Sequence, residues 1–156
     1  MSKSSQQTMQ PEQTIDMALL RQFFEQEDKF ARHCGIKLLQ VTPGAARASM
    51  DVQPFHLNGA CTVHGGAIFT LADFAFAAAS NSRGQLAMGI NTSISYVKAP
   101  TTGTLYADAA EIALNPKLAS YTVTITDDQD ETIAIFQGMV YRKSQSILPE
   151  VNSSQP

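Results

Sequence analysis

Two features of this chain can do chemistry, and both lie in one stretch, His64 to Ser82, reading HGGAIFTLADFAFAAASNS. His64-Gly65-Gly66 presents bare backbone N–H groups at what composition marks as a helix start, with no side chain to block them. Such an end can hold a negative charge or an oxyanion. Farther along, Asp73 is the only charge between His64 and Arg83. An ionised carboxylate in apolar surroundings is costly unless paired or hydrogen-bonded, and its pKa tends to rise. On the residues alone each feature keeps a second reading. Asp73 can be a structural carboxylate bonded to Thr70 or to backbone across an interface. His64 can be a loop histidine bonded to backbone, and the two glycines can simply allow close helix–strand packing.

The element that positions them is a helix. From Ala67 to Ala79 the only polar residues are Thr70 and Asp73, and the run is rich in Ala, Leu and Phe and free of Pro. Apolar on all sides, it belongs inside a core rather than on a surface. It is too short to span a bilayer, which takes roughly 20 residues.

Around it the chain reads as follows. Residues 1–13 are polar and without hydrophobic period, an expected disordered tail. Thr14 caps a helix running to about His33, with Ile15, Leu19, Leu20, Phe23, Phe24 and Phe30 on one side, and Gly35 suits its stop. Ile36 to Val41 and Ala45 to Val52 read as strands about a Pro43-Gly44 turn, followed by a loop over Gln53 to Val63. After Gly84 the chain is strand and turn. Leu86, Met88, Ile90, Thr92, Ile94 and Tyr96 are expected to share one face, and Thr104 to Leu114 follows. Tyr121, Val123 and Ile125 alternate with threonines, and Thr132 to Tyr141 is the last strand. Residues 144–156 are expected to be disordered. The order predicts an α+β domain over 14–143, one antiparallel sheet wrapped around one central buried helix. So short a sheet covers only one side of that helix, which favours a homo-oligomer.

Composition narrows the partners. The chain has 156 residues, 44% hydrophobic and 16% charged, with a net charge of −3 and no Lys/Arg cluster. This argues against nucleic acid or an anionic membrane as the main partner. No basic segment leads into an N-terminal apolar run, so a cytoplasmic location is expected. Cys34 and Cys61 form no CxxC or metal-ligand pattern and read as free thiols.

Taken together, Leu57-Asn58-Gly59, His64-Gly65-Gly66, Leu71-Ala72-Asp73 and Asn81-Ser82 resemble the hotdog-fold acyl-CoA thioesterases, most nearly the phenylacetate-pathway, PaaI-like branch. Ile94 to Pro100, ISYVKAP, is similar to that family's strand leading to a basic residue and Pro. The resemblance runs from about Gly35 to Arg142 and implies the hotdog fold and hydrolysis of an acyl-CoA to free acid and CoA. It implies no metal and no cofactor, coenzyme A being part of the substrate. It implies that the Gly65 N–H polarises the thioester carbonyl and that Asp73 activates water or attacks directly. Asn58 would position the carbonyl or the water, and His64 would support the loop and the hydrogen bonds of the site. Gly66, Phe69, Asn91, Ser93 and Lys98 are the candidate substrate contacts, with Lys98 and Arg83 facing solvent or the phosphates of CoA. In one respect the chain departs from many relatives, which carry Ser or Thr where it has Gly89; Asn91 and Ser93 are expected on that strand face as substitutes. The alternative reading is an acyl-CoA binding module with little or no hydrolysis; a dehydratase or hydratase on the same fold fits less well.

Spacing adds a constraint. Gly65 and Asp73 are eight residues apart, so a single helix separates them by about 12 Å. That is too far to act on one carbonyl. Two antiparallel helices across a dimer bring them together.

Overall fold

The computed structural model describes residues 15–148. Asp16, rather than Thr14, caps the first helix: its carboxylate accepts from the Ala18 N–H at 2.8 Å. Thr14 and the expected tail over 1–13 lie outside the described residues. The expected single helix is two, α1 (Met17–Glu27) and α2 (Lys29–His33), with Asp28 between them as the end of one and the cap of the other. Asp28 bonds the Ala31 N–H at 2.9 Å, which starts a new helix where propensity alone would have continued the old one. Leu20 and Phe24, one turn apart, are the buried face of α1.

Next come β1 (Ile36–Thr42), β2 (Ala45–Asp51), a short 3₁₀ turn (Pro54–His56), α3 (Gly65–Asn81), β3 (Gln85–Tyr96), β4 (Thr104–Leu114), β5 (Leu118–Thr126) and β6 (Thr132–Ser146). The six strands form one sheet in the order β1-β2-β4-β5-β6-β3, and every neighbouring pair is antiparallel. Helix α3 lies against its concave face, so the fold is the expected α+β hotdog arrangement. Among the described residues no helix is long and apolar enough to cross a membrane. The last strand extends beyond the expected Tyr141, because Gln85 pairs with Ser146 at the start of β3. Of the expected C-terminal tail, residues 144–146 are therefore strand, and 149–156 lie outside the described residues.

Strand β3 corrects one expectation. A bulge lies between Gly89 and Asn91, so the strand changes phase there. Before it, Ala87 and Gly89 face the helix, and Gly89 stands opposite the buried Val140. Beyond it, Ile94 and Tyr96 face inward, opposite Phe136 and Ala134. Met88 and Ile90 are 49% and 55% exposed, so they do not share a buried face with Ile94. Gly89 likewise does not share a face with Asn91 and Ser93.

The core is filled by aromatic contacts around α3. Phe76 packs against Tyr121 and Phe136, and Phe74 meets Phe24 of α1 edge-on at 5.9 Å. Gly138 of β6 leaves room for Phe76, since a Cβ there would stand 2.6 Å from its Cζ. The end of α3 is fastened by Asn81 and Ser82. Asn81 Oδ1 accepts from the Ala87 N–H and its Nδ2 donates to the Ala77 and Ala87 carbonyls. Ser82 Oγ donates to the Ala79 carbonyl and accepts from the Gly44 N–H at 2.7 Å. These bonds fix the helix axis to β3 and to the β1–β2 turn, and so hold its start in place.

Candidate active site

His64 caps α3 in extended conformation (φ −60°, ψ 133°), and its Nδ1 accepts from the Gly66 N–H at 2.8 Å. Its backbone N–H donates to the His56 carbonyl, and its own carbonyl accepts from Ala67 and Ile68. His56 is itself buried and spanned: Nδ1 accepts from the Gln53 N–H, and Nε2 bonds the Cys34 carbonyl at 2.9 Å. A helix leaves its first N–H groups without partners inside the helix. With Gly66 engaged by His64, the N–H that remains is that of Gly65, which meets no acceptor among the described residues. The Gly65 carbonyl is held by the Tyr96 hydroxyl, which donates to it at 2.9 Å. The peptide after Gly65 is thereby held from two sides, by the His64 ring at the cap and by Tyr96 at the edge strand, while the peptide that carries the Gly65 N–H is held through the His64 carbonyl.

Asp73 lies two turns farther on. Helix α3 is buried along most of its surface, but Gly66, Thr70, Asp73 and Ala77 form a stripe, spaced four, three and four, that stays exposed or half-buried. Thr70 does not bond Asp73; its hydroxyl donates back to the Gly66 carbonyl at 2.8 Å. Asp73 makes no side-chain hydrogen bond or ion pair among the described residues. The carboxyl reaches solvent in the single chain, yet the protein atoms crowding it remove enough hydration to push its pKa up, and the negative charge of Asp28 adds to the rise. The helix thus carries an open N–H donor at its start and, two turns on, a carboxyl of raised proton affinity.

Asn58 organises the loop before the helix. Its Oδ1 accepts from the Ala60 and Thr62 N–H groups and its Nδ2 donates to Thr62 Oγ1 at 2.9 Å, closing the loop whose ends, Leu57 and Val63, pair as a bridge. One of its two amide protons is left over for a substrate oxygen.

The Thioesterase superfamily model matches residues 61–134. An Archaeoglobus fulgidus protein is 39% identical over 131 residues, covering 83% of this chain and 85% of that protein. The acyl-coenzyme A thioesterase PaaI of Escherichia coli is 32% identical over 80% of this chain and 90% of its own length. The chain belongs to the hotdog-fold acyl-CoA thioesterases, in the PaaI-like branch. The structure of the E. coli PaaI protein superposes with a TM-score of 0.78 over 83% of this chain and 96% of that one, at 31% identity. The TT0310 protein of Thermus thermophilus gives 0.70 over 73% and 97%, at 35% identity.

Within this thioesterase-family chain the remaining candidates separate. Gly66 lies on the exposed stripe, but Phe69 turns into the core, edge-on to Phe136 at 5.5 Å. Asn91 and Ser93 are exposed and stand opposite Met139 and Gln137 on the outer face, because the bulge puts them out of phase with Ile94. Within one chain they do not reach the helix face that Gly89 occupies. Lys98 is already paired with Glu131 and with Asp127, the latter at 3.2 Å, and these carboxylates make it hold its proton more tightly. Arg83 bonds Glu111 at 2.9 Å, and Glu111 also accepts from the Tyr121 hydroxyl. Cys34 is buried, Cys61 exposed, and both are free thiols.

Sequence reasoning passed over three residues that shape the site. Asp28 falls within the single helix expected to run to His33, Tyr96 within a strand and His56 within the loop over Gln53 to Val63, and none of the three is singled out. Only His56 carried a signal, a polar ring in the loop ahead of an apolar helix. What Asp28 and Tyr96 do depends on packing between elements distant in sequence.

Proposed function

We propose that this chain hydrolyses an acyl- or aryl-acyl-CoA thioester to the free acid and CoA. The carrying observation is the open Gly65 N–H at the start of α3 together with the unpartnered Asp73 carboxyl on the exposed stripe of the same helix. The thioester oxygen accepts from the Gly65 N–H, and that bond strengthens as negative charge develops on the oxygen. Asp73 takes a proton from water as the water oxygen bonds to the carbonyl carbon. The tetrahedral intermediate collapses by breaking the C–S bond, and CoA leaves as the thiolate, protonated from Asp73 or solvent. His64 acts through Gly66, by fixing the helix start, and Asn58 offers its remaining amide proton to the carbonyl or the water.

We further propose that each site is shared by two copies of the chain. Gly65 and Asp73 belong to one uninterrupted helix and stand about 12 Å apart along it, whereas each must come within roughly 3 Å of the reacting groups. Two observations support a second copy. Among the described residues no element covers Asp73 on its stripe, and β3 is an edge strand with exposed Met88, Ile90 and Val97 at or just beyond it. The test is release of free thiol from a panel of acyl-CoA esters. Turnover abolished by Asp73→Asn, with acyl-CoA binding retained, is the expected result. Acyl-CoA binding without thiol release by the wild-type protein would replace this reading with that of a binding module.

A further inference from the structure

Two peptide planes meet at Gly65, and each is held at a different place. The 64–65 plane, which carries the open Gly65 N–H, is fixed through the His64 carbonyl, which accepts from the Ala67 and Ile68 N–H groups. The 65–66 plane is gripped at both poles. The Tyr96 hydroxyl donates to its oxygen at 2.9 Å, and its N–H donates to His64 Nδ1 at 2.8 Å. The joint between the planes is the backbone of a glycine, followed at once by a second glycine. Glycine loses more conformational freedom on being fixed than any other residue, and helix ends open more easily than helix centres.

Of the bonds to the 65–66 plane, only that of Tyr96 comes from the sheet. His64 belongs to the same turn as Gly65, whereas Tyr96 stands 31 residues away on β3, opposite Ala134 of β6. The phenol lies close, since a Cβ on Gly65 would stand 3.1 Å from both its Cζ and its Oη. A peptide oxygen has two lone pairs, so it takes this bond beside the helix's own. The donor at the oxygen and the acceptor at the N–H polarise the plane in one sense, so each strengthens the other. The ring itself is 51% exposed. Its hydroxyl therefore faces a choice between water and the helix start, and it is bonded to the helix start.

We infer that Tyr96 is a positioning residue of this site: by tying the 65–66 plane to the sheet, it holds the Gly65 joint at the angles that aim the Gly65 N–H. That this N–H is aimed at a thioester oxygen rests on the thioesterase reading. Aim matters most in the transition state, where the oxygen gains negative charge. Full-length wild type, Tyr96→Phe, Gly65→Ala and the double variant are compared by thiol release and by amide hydrogen exchange followed by NMR. Tyr96→Phe keeps the half-exposed ring and should fold, as circular dichroism will check. Its kcat should fall about three- to tenfold, the usual net contribution of one hydrogen bond, while KM stays within about twofold. Exchange should quicken by a similar factor at Gly66, Ala67 and Ile68 and stay unchanged from Leu71 to Phe76. The double variant decides between aim and packing. Ala keeps the N–H and narrows the freedom of the joint, and Gly65 has no positive φ to forbid it. In wild type the added Cβ meets Tyr96 Oη and lowers kcat. In Tyr96→Phe that oxygen is gone and the untethered ring gives way, so Gly65→Ala should raise kcat about two- to fivefold. An unchanged kcat in Tyr96→Phe overturns the inference, as does its failure to fold, or exchange that quickens along the whole helix or nowhere. So does a double variant no faster than Tyr96→Phe, which would leave the hydroxyl a packing role alone. If wild type releases no thiol, the hydrolytic reading falls, and the exchange pattern by itself upholds or overturns the hold of Tyr96 on the joint.

Discussion

Replacing Gly65 by Pro and, separately, by Ala isolates the one backbone N–H on which the proposed chemistry depends. Proline suits the first position of a helix, where its missing N–H has no intrahelical use. It also requires the preceding residue to be extended, and His64 already is, at ψ 133°. Either substitution adds a Cβ 3.1 Å from Cζ and Oη of Tyr96. That ring must move by a few tenths of an ångström, and it is half-exposed on an edge strand, so it can. The two variants share this disturbance and differ in the N–H. Loss of one oxyanion donor lowers kcat by about 100- to 1000-fold, or about 3–4 kcal/mol of transition-state stabilisation. Gly65→Ala should therefore stay within about tenfold of wild type while Gly65→Pro falls a further 100-fold or so. The assay is thiol release at saturating acyl-CoA, with circular dichroism and size-exclusion chromatography to confirm folding and assembly. Equal losses in the two variants would mean that only Tyr96 packing was disturbed. Near-normal turnover by folded Gly65→Pro would show that the carbonyl is held elsewhere.

A mixed dimer of one Asp73→Asn chain and one Gly65→Pro chain, purified by two tags, should show about half of wild-type activity while each parent is nearly inactive; no recovery would refute the shared site. Asp28→Asn keeps the cap on Ala31, since Asn caps as well as Asp, and removes the charge that helps raise the Asp73 pKa. The acid limb of kcat/KM should accordingly move to lower pH, by less in high salt, and an unmoved limb would remove Asp28 from the site. Because the Asp73 carboxyl holds its proton more tightly when folded, its charge opposes folding once pH exceeds that raised pKa. Asp73→Asn should then match or exceed wild-type Tm at neutral pH while losing turnover about 100- to 10,000-fold, and a lower Tm would indicate an unseen partner for the carboxylate. Gly138→Ala would drive a Cβ to within 2.6 Å of Phe76, costing about 1–3 kcal/mol by urea unfolding; Phe76→Leu in the same chain should recover part of it.

The sequence by itself determined the central helix and its neighbours. An apolar run of this length, rich in Ala and Leu and without Pro, reads as a buried helix, and the alternation in β5 appears unchanged as a strand buried at every second residue. The motif also placed a glycine pair at the helix start and a lone carboxylate two turns on, because those depend on local spacing. Tertiary structure decided what spacing cannot carry. The bulge after Gly89 reversed the phase of β3, which moved Met88 and Ile90 outward and put Asn91 and Ser93 on the far face. Asp28 broke one helix into two and set its charge near Asp73, across elements 45 residues apart in the chain. Which glycine N–H stays open was decided by a rotamer: His64 turned its ring onto Gly66 and left Gly65 free. Periodicity reports which face of an element is apolar. It does not report which side chain from a distant element fills the last hydrogen bond, and the chemistry of this site depends on that choice.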